Sequence, residues 1–281
     1  MHKTEVRSVS DKNLYLPPRP ADSHKGDYGK LLLLGGSIGY TGAPCLCALG
    51  ALRGGAGLVF LGVPEEIYPV VAVRAPAEAM PFPQTAERIA SKIQTADVCA
   101  CGPGMGKSER TLELVRTVLT TMTGPVVLDA DALWAFRELD GAVARVASAV
   151  VITPHEGEFA RLLGRAVSNR ALDAAGYARE HKVIVVLKGH RTLCAFPTGE
   201  IFRIEAGNPG MATGGQRRCA HGCYRRDAGA FRAGTGGYHR LLAARRCGGY
   251  LRRHHRRRGD DSLGYSGEPA GGGKKIEKAL I

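Results

Sequence analysis

The sequence predicts an α/β domain built on a mostly parallel central sheet, and three observations carry that expectation. From Lys30 onward, short apolar runs alternate with amphipathic stretches, the pattern of strands joined by crossover helices. Several runs are apolar without alternation, residues 183–187 above all, as required when both faces of a strand are covered. Glycine-rich turns fall at the ends of these runs, where open α/β sheets bind ligands.

The expected strands are residues 30–34, 57–63, 98–102, 125–128, 149–153 and 183–187, with 193–196 and 201–204 reading as a hairpin. Helical periodicity covers 43–53, 108–121, 156–163 and 169–181, with Ser108 and Ser168 as plausible caps. At 281 residues the chain is expected to form one enzyme-sized domain. The first twenty residues lack an apolar run of signal-peptide length and no segment has the length of a membrane span, so a soluble cytoplasmic protein without membrane contact is expected. The eight cysteines miss the usual CxxC zinc spacing and read as reduced, mostly buried thiols.

The net charge of +13 would suggest a nucleic-acid partner if it were spread over the molecule. Residues 216–258, however, hold thirteen arginines against one acid, Asp227, so the first three quarters of the chain are close to neutral. An arginine cluster without interleaved aromatics is a nonspecific feature, and no specific nucleic-acid partner is expected.

Six edge segments could carry chemistry. His24 to Val59 reads HKGDYGKLLLLGGSIGYTGAPCLCALGALRGGAGLV, a strand, a turn with Gly35, Gly36, Gly39 and Gly42, then a helix whose start can face an anion. Gly102-Pro103-Gly104-Met105-Gly106 follows the next strand. Asp129-Ala130-Asp131 closes another, where paired acids could orient phosphate-borne magnesium or cap a helix, the latter being the better reading of Asp131. Thr153-Pro154-His155-Glu156-Gly157-Glu158 places a His that could bind a polar ligand, or else Thr153 caps the helix and His155 is a solvated loop residue. Lys188-Gly189-His190-Arg191-Thr192 suits a nucleotide phosphate, and the Gly-rich 207–215 segment should enter a helix whose amino end forms an anion hole.

Taken in order, HKGDYGKLLLLGGS, GPGMG, DADAL, TPHEGEFARLLG, VLKGHRT and GNPGMATGG resemble the ADP-dependent NAD(P)H-hydrate dehydratases, relatives of sugar and vitamin kinases, over about His24 to Gly215. The resemblance implies a ribokinase-like three-layer α/β/α fold and a cofactor-repair reaction. ADP would phosphorylate the hydroxyl of the S form of hydrated NADH or NADPH (NADHX or NADPHX), and loss of phosphate would give NAD(P)H, AMP and phosphate. Ala43, Gly104 and His155 would line the hydrate pocket. Lys188, Gly189, His190, Arg191 and Thr192, with Gly214 and Gly215, would hold the adenine nucleotide, Mg2+ would accompany the phosphates, and a homotetramer is implied. Many relatives carry an epimerase domain in front, for which 281 residues leave no room. A ribokinase-like kinase acting on a vitamin precursor or sugar is the alternative, since the fold would be shared.

In the family, the glycine-rich segment continues as Ser-Gly-Asp-Val-Leu-Thr-Gly, whose Asp activates the hydroxyl. Here Gln216, Arg217 and Arg218 follow, and Arg218, which stands in the acid's place, stays protonated and cannot act as a base. Residues 216–273 read as an out-of-frame translation. Written as CAG CGG CGA TGT GCT CAC GGG TGT TAT and read one base later, Gln216 to Tyr224 give Ser-Gly-Asp-Val-Leu-Thr-Gly-Val. The same offset turns Gly264 to Gly273 into Val-Thr-Ala-Gly-Asn-Leu-Leu-Glu-Ala, which leads into KKIEKALI.

Overall fold

The computed structural model describes residues 5–9, 20–139 and 144–205. Segment 207–215 with Gly214 and Gly215, the Arg218 position and all of 216–273 lie outside the described residues.

Among the described residues ten strands form one sheet: β1 (Val6–Val9), β2 (Lys30–Leu34), β3 (Leu58–Val63), β4 (Ala79–Pro83), β5 (Val98–Cys101), β6 (Val126–Leu128), β7 (Val150–Ile152), β8 (Ile184–Leu187), β9 (Leu193–Ala195) and β10 (Ile201–Ile204). Their order is β1-β10-β9-β8-β7-β6-β5-β2-β3-β4, and every pairing is parallel except those of β9 with β8 and β10. The expected mostly parallel sheet and the hairpin of β9 and β10 are therefore present.

The unalternating runs become strands sealed on both faces. Leu32 and Leu34 point into one apolar core with residues of α3 (Ala86–Thr95), α4 (Glu109–Thr121), α5 (Asp131–Glu138), α6 (Glu156–Leu163) and α7 (Arg170–Glu180). Leu31 and Leu33 point into a second core with Cys47, Ala48 and Ala51 of α1 (Gly42–Arg53) and Val71 of α2 (Tyr68–Arg74). Two sealed faces make the architecture three layers, and all four leucines of β2, an interior strand between β5 and β3, are fully buried.

Several local expectations need correction. The N-cap of α7 is Asn169, whose side chain accepts from the N–H groups of Ala171 and Leu172 at 3.1 Å each. Ser168 instead donates its N–H to Asp173 at 2.8 Å. Ser108 does cap α4, accepting from Thr111 N at 3.3 Å. Strands β1 and β4 and helices α2, α3 and α5 appear in addition to the elements expected. Of the described cysteines four are buried and Cys45 is half-buried, and burial pushes the Cys45 thiol up against the opposing pull of Arg74.

Candidate functional site at the carboxyl edge of the sheet

The chain leaves β2 outward to β3 and β4, then returns to place β5 on the other side of β2. That reversal makes the loops after β2 and β5 a topological switch point, where open α/β folds form their crevice. The two loops interlock, with Gly36 N donating to Pro103 O at 2.9 Å. Gly104 has φ +70°, and a Cβ there would lie 2.9 Å from Tyr40 Cβ and 3.0 Å from Ala43 Cβ. Ala43, buried in the first turn of α1, and Gly104 are thus brought together, while the adjoining Tyr40 side chain stays exposed.

The next carboxyl ends hold a charged cluster. Gly102 (φ +130°) lets β5 run against β6 so closely that a Cβ would meet Asp129 O at 1.7 Å. Asp129 Oδ1 accepts from Ala130 N at 2.8 Å and from Lys188 Nζ at 2.5 Å, crossing from β6 to β8 over β7. Glu158 Oε2 stands 3.7 Å from the same ammonium. Asp131 does not cap α5, whose N-cap is Ala130 at φ 48°; its Oδ2 accepts from Gly106 N at 2.9 Å and braces the turn of Gly102 to Gly106.

His155 is neither a solvated loop residue nor a bystander to a Thr153 cap. Thr153 is fully buried and donates its hydroxyl to Leu128 O at 3.3 Å. His155 itself caps α6: its Nδ1 accepts from Gly157 N at 3.1 Å and Glu158 N at 3.3 Å, and its own N–H donates to Glu158 Oε2 at 2.7 Å. With Nδ1 accepting, Nε2 is the ring atom left to act as a donor, and it lies 3.3 Å from Glu158 Oε1.

The Lys188–Thr192 loop is fixed from three sides. Lys188 N donates to Pro154 O at 2.8 Å, beside a parallel bridge between His155 and Lys188. Arg170 Nη1 donates to His190 O at 3.1 Å, and its Nη2 reaches the carbonyls of Leu187 and Lys188 at 3.5 Å. Arg191, at φ 55°, pairs with Glu205 at 3.2 Å, and Arg203 with Arg191 holds the Glu205 carboxyl below the usual carboxylate range. Thr192 is buried and donates its hydroxyl to Gly189 O at 3.2 Å.

All the sequence-expected site residues among the described ones therefore lie on one edge of the sheet, at the ends of β2, β5, β7 and β8. Sequence reasoning missed the Asp129–Lys188 pair, the role of Arg170 as a clamp on the loop, and Tyr40. The exposed aromatic between two glycine turns was the available signal for Tyr40; no signal linked Asp129 to Lys188 across 59 positions.

Residues 31–217 match the NAD(P)H-hydrate dehydratase family profile. The chain is 37% identical over 208 residues to the ADP-dependent (S)-NAD(P)H-hydrate dehydratase of Bacillus subtilis, covering 71% of this chain and 72% of that protein. It is 39% identical over 214 residues to the bifunctional NAD(P)H-hydrate repair enzyme of Moorella thermoacetica, covering 71% of this chain but 40% of that protein, so it spans about two fifths of such longer relatives. Among solved structures, a ribokinase-like superfamily protein from Enterococcus faecalis superposes with a TM-score of 0.74 at 26% identity, covering 88% of this chain and 89% of that one. An ADP/ATP-dependent NAD(P)H-hydrate dehydratase from Bacillus subtilis, co-crystallised with ATP and Mg2+, gives 0.71 at 33% identity, covering 85% and 87%. With a family match across two thirds of its length and a ribokinase-like sheet, the chain belongs to the NAD(P)H-hydrate dehydratase family.

Proposed function

We propose that this fold serves ADP-dependent dehydration of the S form of NADHX or NADPHX to NADH or NADPH, with release of AMP and phosphate. The carrying observation is the meeting of Ala43 and Gly104 at the switch-point crevice, on the same edge as His155 and the Lys188 loop. In this reading Ala43, Gly104 and the Nε2–H of His155 contact the hydrated nicotinamide. Lys188 and the Gly189–Thr192 backbone take the nucleotide, and Gly214 and Gly215 supply the anion hole for the transferred phosphoryl group.

Magnesium fits as an ion carried by the phosphates. Among the described residues no group of three His, Cys, Asp or Glu side chains could cage a metal, and magnesium keeps several waters when phosphates and one or two carboxylates bind it. When bound, it would neutralise charge during phosphoryl transfer. Among the described residues no helix is long and apolar enough to cross a membrane. A cytoplasmic homotetramer is proposed on the family resemblance alone.

Residues 216–273 are proposed to be out of frame, with Arg218 replacing the acid that would take the hydroxyl proton. In support, the family match ends at residue 217, where the composition also breaks. Sequencing the gene tests this directly: codons that do not yield Ser-Gly-Asp when shifted by one base refute it.

For the reaction, the chain and a version with the restored frame are incubated with ADP, magnesium and either NADHX or a panel of vitamin-precursor and sugar alcohols. Formation of AMP only with the hydrate supports the dehydratase. Phosphorylation of a panel member, with the hydrate untouched, supports the kinase instead.

A further inference from the structure

We infer that Asp129 is a positioning residue that anchors the Lys188 ammonium for an incoming nucleoside diphosphate, while Glu158 is the contact the phosphate displaces. The inference rests on the nucleotide reading of the 188–192 loop.

The two carboxylates hold Lys188 unequally. Asp129 bonds at 2.5 Å and its side chain is 6% exposed; Glu158 stands 3.7 Å away and is 17% exposed. Asp129 is itself immobilised, because Ala130 N donates to the same Oδ1 and Gly102 packs on its carbonyl. Glu158 has other work, accepting from His155 N and lying 3.3 Å from His155 Nε2.

A buried Lys–Asp pair is no more stabilising than an apolar pair of similar volume, so its use lies in where it fixes a charge. Lysine is a compact charge on a flexible stem, and without an anchor its head would sample the solvent. Asp129 removes that freedom on the sheet side, and Arg170 pins the loop carbonyls, leaving the ammonium set at the carboxyl edge. The ammonium is held between two carboxylates, and phosphate oxygens compete with carboxylate oxygens for the same N–H donors. An arriving diphosphate must therefore replace one carboxylate, and the long, more exposed contact to Glu158 is the weaker one.

Calorimetric titration of the full chain with ADP and magnesium tests this, using Asp129→Asn, Glu158→Gln and the parent. Asp129→Asn should weaken ADP about tenfold, as expected when one partner of a buried charge pair is neutralised, while NADHX affinity stays as in the parent. Glu158→Gln, which keeps an oxygen for His155 N, should tighten ADP. Unchanged ADP affinity in Asp129→Asn, or an equal loss for ADP and NADHX, overturns the anchoring role. If Asp129→Asn does not fold, Glu158→Gln decides alone, and unchanged or weaker ADP binding there overturns the exchange. A parent chain that binds NADHX but not ADP removes the nucleotide reading itself, a separate outcome from either variant's failure.

Discussion

The carbonyl oxygen of Asp129 lies against Gly102 so closely that a Cβ on Gly102 would fall 1.7 Å from it. This contact joins the glycine turn after β5 to the charged cluster at the end of β6, where Asp129 accepts from Lys188. Gly102→Ala cannot be absorbed by a side-chain shift, because the obstacle is backbone and φ is +130°. Thermal unfolding should report a loss of about 3 kcal/mol or more, the range of overpacking and strain combined.

Gly104→Ala should separate stability from binding. Its Cβ would crowd Ala43 and Tyr40 at φ +70°, costing about 1–2 kcal/mol for the left-handed backbone. The added methyl also narrows the crevice, and affinity for NADHX should fall about tenfold or more, the scale of one methyl group in a fitted pocket. Calorimetry with NADHX, beside a melting curve, measures both effects; full affinity in a destabilised variant would remove Gly104 from the hydrate pocket.

Asp173 gives the fold an acid-sensitive joint. Hydrogen bonding from Arg165, helped by the N–H groups of Asn169 and Ser168 and opposed by burial, lowers its pKa from 3.8 to about 2. Because the folded value is depressed, the stabilisation is present above pH 3.8 and drains as the pH falls toward 2. Asp173→Asn should cost about 1–3 kcal/mol near neutrality through lost charge-assisted hydrogen bonds. It should also flatten the pH dependence of chemical denaturation between these two values, and an unchanged acid limb would show that Asp173 does not titrate with folding.

Asn169→Ala removes the cap of α7, the helix that packs on β8 and β9 behind the Lys188 loop. A loss of about 1 kcal/mol is expected by denaturant melts, the usual cost of an N-cap. Ser168→Ala should cost less, because its backbone N–H, retained in the variant, makes the shorter bond to Asp173, at 2.8 Å against 3.3 Å from Oγ.

The central strands were legible because their physics is local. Leu31 to Leu34 and Val183 to Leu187 are apolar on both faces, and only a doubly covered strand has that use for them. The edges were not. In β4, Pro81 and Pro83 break the strand signal, and such prolines are tolerated there because an edge strand leaves half its ladder unpaired. Helix α3 did leave a trace, with Thr85 capping at Arg88 N and Ile89 and Ile93 buried one turn apart. Glycines and His155 were legible as edge residues, since strand ends mark the edge, but their partners were not. Asp129 could be read as a magnesium ligand or a cap until topology set β6 two strands from β8 and within reach of Lys188.

We propose that the chain carries the site of a hydrate dehydratase and has Arg218 where the reaction needs an acid. The most direct measurement follows NADH absorbance on adding NADHX, ADP and magnesium to the chain and to a version with Ser-Gly-Asp and the restored frame. NADH should form with the restored version and not with the chain carrying Arg218. Equal turnover by the chain as it stands would contradict the claim.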